Sequence, residues 1–386
     1  MSAQAVRLRI AAHNGAARFG GGEKWCLLLL QGLQARGHEV RFFCRDEAMR
    51  ERAESMDVSA SVGRLGGHLM FSDAFRFSRQ LRAWEPDALL VSTYKKLWLA
   101  GMAATWADVP RVVARIGLST DLPRRHWTYR LALRRWTDAV LINADGIRAD
   151  FVADLPLADP RRMVTVYDGI ELPGDPPDRT DARRALGLPV DAPVVGSVTR
   201  LAGQKRIDRM LEAVRRLDQS VHLALAGTGE LKDSLQARAR TMGLADRVHF
   251  LGFQEDVSRV LAALDLFLLT SDKEGMANAM LEALAAGVPV VSTPVSGADE
   301  ALAPGEPGDP DAEAPGRIVE PAPQAIADAV AELLDDGSAR AAMAASARAR
   351  HARRFSFEGM VDAWEYVLAG GDPGTVHQGP TPVEVR

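Results

Sequence analysis

The fold predicted for this chain is decided by residues 271–287, SDKEGMANAMLEALAAG. Short apolar runs of the kind that form buried parallel strands precede and follow this stretch, at 265–270 and 288–292. Between the two runs, Asn278 is a favourable N-cap, the alanine-rich segment after it favours a helix, and Gly287 is typical of a helix C-terminus. The pattern therefore predicts a strand, a loop, a helix and a second strand in succession.

The start of this predicted helix is a candidate anion site. A helix N-terminus at the carboxyl end of a parallel strand presents unpaired amides and the positive end of the helix dipole. Two carboxylates flank it, because Glu274 lies in the loop and Glu282 lies one turn into the helix. A carboxylate beside a phosphate would repel it unless the carboxylate faced another group, and sugar hydroxyls are the obvious candidates.

Glu274 and Glu282 form a Glu-x7-Glu pair that is followed by Ala-x-x-x-Gly-x-Pro-Val-Val. This arrangement resembles the retaining nucleotide-sugar glycosyltransferases of family 4, over about residues 8–369. The pair alone would be a weak signal, and the surrounding residues make it a strong one. The resemblance implies an α/β protein with the GT-B fold, in which two Rossmann-like, doubly wound domains face a cleft.

Length and composition agree with a soluble protein of two domains, since the chain has 386 residues, 47% of them hydrophobic and 25% charged. The two cysteines give no disulfide framework. Residues 1–15 lack the apolar core of a signal peptide, and the longest apolar stretch, 97–106, is far shorter than the roughly 20 residues of a membrane-spanning helix. We therefore expect a cytoplasmic protein.

Charge is unevenly distributed along the chain. Residues 1–170 hold 25 basic and 18 acidic residues, a net +7, and residues 171–386 hold 22 and 33, a net −11. A basic first half favours an acidic substrate or an anionic membrane surface, and an uneven, solvated surface is the alternative. The arginine-rich segment 124–136 can lie on an anionic bilayer, or its Trp127 and Trp136 can belong to the core.

Apolar runs alternate with segments of helical period, which favours doubly wound parallel sheets. We predict a first domain at residues 1–171, a turn-rich linker at 172–180 and a second domain at 181–354. The resemblance implies that residues 355–369 form a last helix that crosses back to the first domain. Residues 370–386 are predicted to be a disordered tail.

A glycine-rich turn follows the first predicted strand. Gly20, Gly21 and Gly22 have the strand–loop–helix layout of a phosphate site but lack the G-x-G-x-x-G spacing of dinucleotide sites. The resemblance implies that this loop, with Arg18, lies near the donor phosphates and the acceptor. A tight turn is the alternative.

The first half departs from the family pattern at the position of a cleft histidine. Many members have this histidine after the strand that here contains Arg115 and ends near Gly117. Without it, Arg115 or Gly117 would serve that region, and His13 and His126 are weaker substitutes.

Two further departures lie nearby, because Ala144 replaces a common serine after Asn143, and Asp168 stands where an asparagine is common.

An electrostatic hypothesis follows from the basic residues of the first half. An acceptor that carries phosphate or carboxylate, or an anionic lipid surface, would be attracted by Arg18, Arg115, Arg124 and Arg125. Such attraction between exposed charges weakens with salt.

Arg200 and Lys205 match the family's Arg-x4-Lys pair. The resemblance implies that both cations grip the donor diphosphate and are catalytic together with Glu274. As the bond between sugar and phosphate breaks, negative charge builds on the leaving oxygen. Positioned cations then stabilise the transition state more than the ground state.

The resemblance also gives roles to the rest of the central motif. It implies that Glu282 holds the ribose hydroxyls and Glu274 contacts the transferred sugar. The amides around Gly275, Met276 and Ala277 would approach the phosphates, together with the helix that starts near Asn278.

Two turns complete the predicted donor site. The sequence Gly227-Thr228-Gly229-Glu230 resembles the family's Gly-x-Gly-Glu turn, and Phe253 follows Gly252 in a predicted base-side loop. In both places a plain turn is the alternative.

The resemblance implies a front-face reaction in which the leaving phosphate takes the acceptor's proton, so we name no catalytic base. A double displacement would instead need a carboxylate nucleophile on the opposite face. We expect no cofactor and no metal, since no cluster has metal-ligand spacing. Asp309 and Asp311 mimic the Asp-x-Asp of metal-dependent enzymes, but they lie in a Pro/Gly-rich loop that we interpret as solvated surface.

The expected partners are a nucleotide-diphosphate sugar, with UDP favoured over GDP, and a glycan, glycolipid or small-molecule acceptor. The resemblance points to bacterial surface polysaccharide or lipopolysaccharide assembly, with no nucleic-acid partner. Peripheral contact with the inner face of an anionic membrane stays open. The alternatives are another GT-B activity, such as an epimerase or a phosphorylase, and a non-catalytic nucleotide-sugar-binding protein.

Overall fold

The computed structural model describes residues 7–17, 19–67, 70–118, 127–148, 160–172, 174 and 176–376. The chain divides into two compact units, a first of Met1–Asp168 with Glu358–Arg386 and a second of Gly169–Phe357. The division therefore falls a few residues before the predicted linker, and the first helix of the second unit begins at Arg179.

The first unit contains a parallel sheet of seven strands in the order β3-β2-β1-β4-β5-β6-β7. Its strands are β1 (Arg9–His13), β2 (Glu39–Cys44), β3 (Ala60–Val62), β4 (Ala88–Val91), β5 (Arg111–Ile116), β6 (Ala139–Ile142) and β7 (Met163–Thr165). Its helices are α1 (Gly21–Ala35), α2 (Glu47–Glu54), α3 (Phe71–Trp84), α4 (Leu97–Trp106) and α5 (Trp127–Arg135).

The second unit contains a parallel sheet of six strands in the order β10-β9-β8-β11-β12-β13. Its strands are β8 (Val194–Val198), β9 (His222–Ala226), β10 (Val248–Gly252), β11 (Leu266–Leu269), β12 (Val290–Ser292) and β13 (Gly316–Ile318). Its helices are α6 (Arg179–Leu186), α7 (Ile207–Val214), α8 (Lys232–Thr241), α9 (Val257–Ala262), α10 (Asn278–Ala286), α11 (Ala298–Leu302), α12 (Pro323–Asp335) and α13 (Gly337–Arg354); the last helix of the chain, α14, spans Phe357–Leu368.

The central strands of both sheets are short apolar runs because helices cover both faces of a parallel sheet. All residues of β4, β6 and β11 are buried. The prediction of a doubly wound parallel sheet in each half is confirmed. Strand order reverses direction between β1 and β4 in the first sheet and between β8 and β11 in the second, and ligands of such folds bind beside these switch points, at the carboxyl ends of the strands.

Helix α14 packs within the first unit. The Trp364 ring meets Trp25 of α1 edge-on with centroids 5.2 Å apart, and Trp25 Nε1 donates to Met360 Sδ at 3.0 Å. At the end of α1, Arg36 pairs with three acids of α14, Glu358, Asp362 and Glu365.

The predicted disorder after residue 370 is wrong for residues 370–376. Arg111 Nη2 donates to Gly371 O at 3.0 Å, and Pro373–Thr375 forms a 3₁₀ turn. Residues 377–386 lie outside the described part of the chain.

The loop around Asp309 and Asp311 is a correction to the sequence interpretation. Asp311 is 2% exposed and pairs with Arg350 and Arg353 of α13, and Arg353 Nη1 also lies 2.7 Å from Asp309 Oδ2. Asp311 is therefore a buried structural anion, because two arginines that lie far away in sequence neutralise it. Within the described ranges, no group of three or more His, Cys, Asp or Glu side chains could hold a metal.

Candidate active site

Three predicted site residues lie in the loops at the switch point of the second sheet, and two of them, Lys205 and Glu274, are in contact. Arg200 follows β8, Lys205 ends a 3₁₀ turn at Gly203–Lys205, and Glu274 follows β11, the neighbour of β8. Because β8 and β11 are parallel neighbours, the loops after them leave the same edge of the sheet. The site is therefore assembled by topology from segments some 70 residues apart.

Glu274 is held in place by two hydrogen bonds to one oxygen. Its Oε1 accepts from Lys205 Nζ at 2.5 Å and from Ser271 Oγ at 2.6 Å. The side chains of Lys205 and Glu274 are 20% and 11% exposed, so the pair is shielded but reachable. Sequence reasoning missed Ser271, although a hydroxyl directly after a buried strand is the kind of residue that can orient a carboxylate.

The loops after β8 and β11 are also fastened to each other through backbone groups. Thr270 Oγ1 donates to the carbonyls of Lys205 and Arg206 at 3.1 and 3.0 Å, and Asp272 N donates to Gln204 O at 2.9 Å. Arg209 of α7 pairs with Asp272 at 2.7 Å. These bonds fix the position of Lys205 before any ligand binds, which lowers the cost of binding.

Helix α10 begins at Asn278, and its N-cap is Ala277, which forms no side-chain cap. The prediction that Asn278 caps the helix is therefore wrong. Asn278 is already helical, since the extended residue before it is Ala277, with φ −78° and ψ 110°. A helix start without a side-chain cap keeps amide groups available to a ligand, and the buried Gly275, Met276 and Ala277 lead into it.

The other end of α10 is as predicted. Gly287 ends the helix in the left-handed conformation at φ +70°. Glu282 is half-buried in the middle of α10, four residues after Asn278 and therefore on the same side of the helix. Arg200 is exposed, and its side chain forms no hydrogen bond or ion pair with the described residues.

The turn after β9 presses against the loop after β8. A Cβ on Gly227, which has φ +134°, would lie 2.0 Å from Thr199 O, and one on Gly229 would lie 2.3 Å from Leu201 O. Both positions need glycine for packing alone, so the plain-turn alternative has a physical basis. Phe253, at the predicted base-side loop, is 73% exposed.

The glycine loop of the first unit leads directly into α1. Gly20 is the N-cap without a side-chain bond, and the helix begins at Gly21, with Gly22 as its second residue. Glu23 lies in this first turn, where it accepts from Asn14 Nδ2 at 3.3 Å. Arg18 lies outside the described residues.

Arg115 is buried, which corrects the expectation of an exposed cation. Its Nη2 donates to Asp168 Oδ1 and Oδ2 at 2.9 and 2.8 Å, its side chain is 9% exposed, and its guanidinium carbon lies 3.8 Å from the centre of the Trp25 ring. Asn143 Nδ2 donates to Asp168 Oδ2 at 2.8 Å. Two positions at which the sequence departs from the family pattern, 115 and 168, are thus in direct contact.

Of the two histidines named as weaker substitutes for the cleft histidine, His13 lies within the described residues. His13 is fully buried, its Nε2 lies 3.0 Å from Gly63 O, and burial lowers its pKa to about 4. His13 is therefore neutral at pH 7 and presents no charge to a ligand. His126, Arg124 and Arg125 lie outside the described part of the chain.

Family models match most of the chain in two consecutive segments. Residues 19–172 match the model described as Glycosyltransferase Family 4, and residues 178–350 match that of Glycosyl transferases group 1.

Two curated relatives come from Rhizobium meliloti (strain 1021). The lipopolysaccharide core biosynthesis glycosyltransferase LpsE is 31% identical, over 91% of this chain and 96% of that protein. The lipopolysaccharide core biosynthesis mannosyltransferase LpsB is 32% identical, over 65% of this chain and 71% of that protein.

Solved structures agree on the fold. The Anabaena protein Alr3699/HepE in complex with UDP superposes with a TM-score of 0.81 at 21% identity, over 94% of this chain and 100% of that one. WaaG, a glycosyltransferase involved in lipopolysaccharide biosynthesis, gives a TM-score of 0.70 at 19% identity, over 94% of this chain and 100% of that one. With two parallel-sheet units of Rossmann type and a relative, LpsE, that matches nearly its full length, the chain belongs to the family 4 glycosyltransferases of GT-B fold.

Proposed function

We propose that this chain is a retaining glycosyltransferase that moves a sugar from a nucleotide-diphosphate donor to an acceptor hydroxyl in lipopolysaccharide or other bacterial surface-glycan assembly. The observation that carries the proposal is the Lys205–Glu274 pair at the same sheet edge as α10, whose N-terminus has no side-chain cap. Cations and helix amides suit a diphosphate, and a carboxylate suits sugar hydroxyls. The names of LpsE and LpsB support the acceptor class.

In this proposal the donor diphosphate binds against Arg200, Lys205 and the first amides of α10. An ammonium group has three N–H donors, so Lys205 can keep its hydrogen bond to Glu274 and still donate to a phosphate oxygen. When the bond between the sugar carbon and the phosphate oxygen breaks, both cations stabilise the charge on that oxygen. The acceptor hydroxyl attacks the same face of the sugar, and its proton goes to the leaving phosphate.

The same proposal favours UDP as the nucleotide and needs no divalent ion, because side chains and helix amides supply the positive charge. HepE, whose structures contain UDP and UDP-glucose, supports the choice of UDP. It shares the fold with this chain, and its ligands are a guide to the first compounds that should be tried.

Thermal unfolding with a panel of nucleotides tests the donor site. We expect UDP, at about 100 times its Kd, to raise the melting temperature by roughly 5–10 °C, and GDP or ADP to raise it less. Sugar transfer should be unchanged in EDTA. No shift with any nucleotide contradicts the donor site, and activity that is lost in EDTA and restored by Mg²⁺ or Mn²⁺ contradicts the metal-free mechanism.

Helix α5 supports a second part of the proposal, peripheral contact with an anionic membrane. Its exposed residues share one face and combine apolar with basic side chains, namely Trp127, Arg130, Leu131, Arg134 and Arg135. Trp127 is 60% exposed, although its ring also meets Trp98 at 5.2 Å, while Trp136 packs against Trp98 at 5.0 Å. Such a face suits a bilayer interface. No helix in the described ranges is both long and apolar enough to span a membrane.

Vesicle co-sedimentation checks this contact. We expect the chain to sediment with vesicles that contain phosphatidylglycerol and to stay in solution with neutral phosphatidylcholine vesicles, because arginines need anionic headgroups. The double variant W127S/L131S should lose most of this binding. Equal sedimentation of the variant and the unchanged protein would contradict a role for α5.

A further inference from the structure

Loops after neighbouring strands of the first sheet bring three cations to one edge. Arg45 directly follows β2, Arg64 follows β3 by two residues, and Lys96 lies in the turn after β4. These strands flank β1 in the order β3-β2-β1-β4, so the loops surround the switch point between β1 and β4. Ligands of open α/β sheets bind at this position.

Lys96 is held across this edge by contacts at both ends of its side chain. A Cβ on Gly15, in the loop after β1, would lie 2.9 Å from Lys96 Cγ and 3.2 Å from Cε. At the other end, Lys96 Nζ donates to Gly66 O, in the loop after β3, at 2.7 Å. The ammonium group is therefore positioned by the fold rather than free in solvent.

The surroundings of Lys96 are positive. Burial lowers its pKa, and Arg45 and Arg64 lower it further, while the carboxylate of Asp73 acts in the opposite direction. Neither arginine forms a hydrogen bond or an ion pair with another described residue, whereas most arginines of this chain do. Holding several positive side chains near one another without a counterion costs free energy, and a bound anion would recover that cost.

The carboxylates nearby are already engaged. Asp73 is 2% exposed, accepts from Gly66 N at 2.8 Å and pairs with Arg76. Asp46, next to Arg45, caps α2 by accepting from Met49 N at 3.1 Å. The positive charge at this edge is therefore only partly balanced by the protein itself.

We propose that Lys96, Arg45 and Arg64 form an anion-binding site that receives a phosphate or carboxylate group of the acceptor. The inference rests on the proposed function, since it assigns the acceptor class of that reaction. The cations assigned to the donor diphosphate, Arg200 and Lys205, belong to the second unit, whereas these three belong to the first. The net +7 of residues 1–170 agrees with an anionic acceptor.

Calorimetric titration of the full chain with inorganic phosphate, in the presence of saturating UDP, tests this site. We expect saturable phosphate binding that weakens about tenfold in Lys96→Gln and at least as much in the double variant R45Q/R64Q, because each loses charge-assisted hydrogen bonds. The matched control is Lys95→Gln, which removes the same charge one residue away and should leave phosphate binding unchanged. UDP binding should be equal in all four proteins.

Each other outcome overturns the inference in a distinct way. Phosphate binding that is absent, or equal in Lys96→Gln and the unchanged protein, means that the three cations form no anion site. Weaker UDP binding in Lys96→Gln means that the site serves the donor rather than the acceptor. Failure of the proposed function can be told apart from failure of this inference. In that case UDP would not bind, while phosphate binding would still depend on Lys96.

Discussion

Lys205→Ala is expected to lower kcat/KM for the donor by about 100- to 1,000-fold, which is the usual effect of removing one positioned donor that stabilises a developing negative charge. Lys205 Nζ lies 2.5 Å from Glu274 Oε1, so the substitution also removes one of the two hydrogen bonds to that oxygen and leaves the one from Ser271 Oγ. Both the diphosphate and the sugar side of the donor site should therefore be affected, and kcat should fall together with UDP affinity.

The control for this variant is Lys273→Ala. Lys273 is exposed and directly precedes Glu274, so its removal changes the charge of the same loop without removing a bond to the carboxylate. We expect near-normal turnover and a normal UDP shift for Lys273→Ala, and circular dichroism should show that both variants are folded. Donor kinetics of Lys205→Ala within threefold of the unchanged protein would exclude Lys205 from the diphosphate site.

The architecture could be predicted from sequence because its determinants are local. Strands buried on both faces appear as short apolar runs, and the glycine that ends a helix has no steric penalty at positive φ. The strand–helix–strand unit around 271–287 therefore formed as expected, from β11 through α10 to β12, and Gly287 ended the helix. The doubly wound parallel sheet of each half followed from the same alternation, whereas the order of its strands was not predicted.

Other features of the site are not local and left little trace in the sequence. Lys205 and Glu274 are 69 residues apart, and Ser271 joins them only because β8 and β11 are neighbours. The sequence predicts Arg115 and Asp311 to be solvated charges, because their partners lie 53 and 39 residues away along the chain and no local pattern reveals them. A charged side chain shows its burial only when its counterion is located.

Asp168→Asn should destabilise the first unit strongly, although it restores the residue common in the family. Asp168 and Arg115 are 2% and 9% exposed, and Asn143 donates to the same carboxylate. The substitution leaves a buried guanidinium without its counterion, which typically costs about 3–5 kcal/mol. For a unit of this size, the loss corresponds to a fall of roughly 10 °C in the melting temperature measured by differential scanning calorimetry.

The charge-matched control is Asp108→Asn, since Asp108 is exposed in the same unit and its φ of +55° is one that asparagine tolerates. It should leave the melting temperature within about 2 °C, as exposed substitutions usually do. The double variant R115L/D168L should be less destabilised than Asp168→Asn, because it removes both buried charges together. Two results would contradict this prediction, namely that Asp168→Asn has the same melting temperature as the unchanged protein, or that the double variant is less stable than Asp168→Asn. Either result would show that the buried charge pair is not what stabilises this edge of the sheet. The UDP-induced shift, which belongs to the second unit in our proposal, should be the same in every variant of this series.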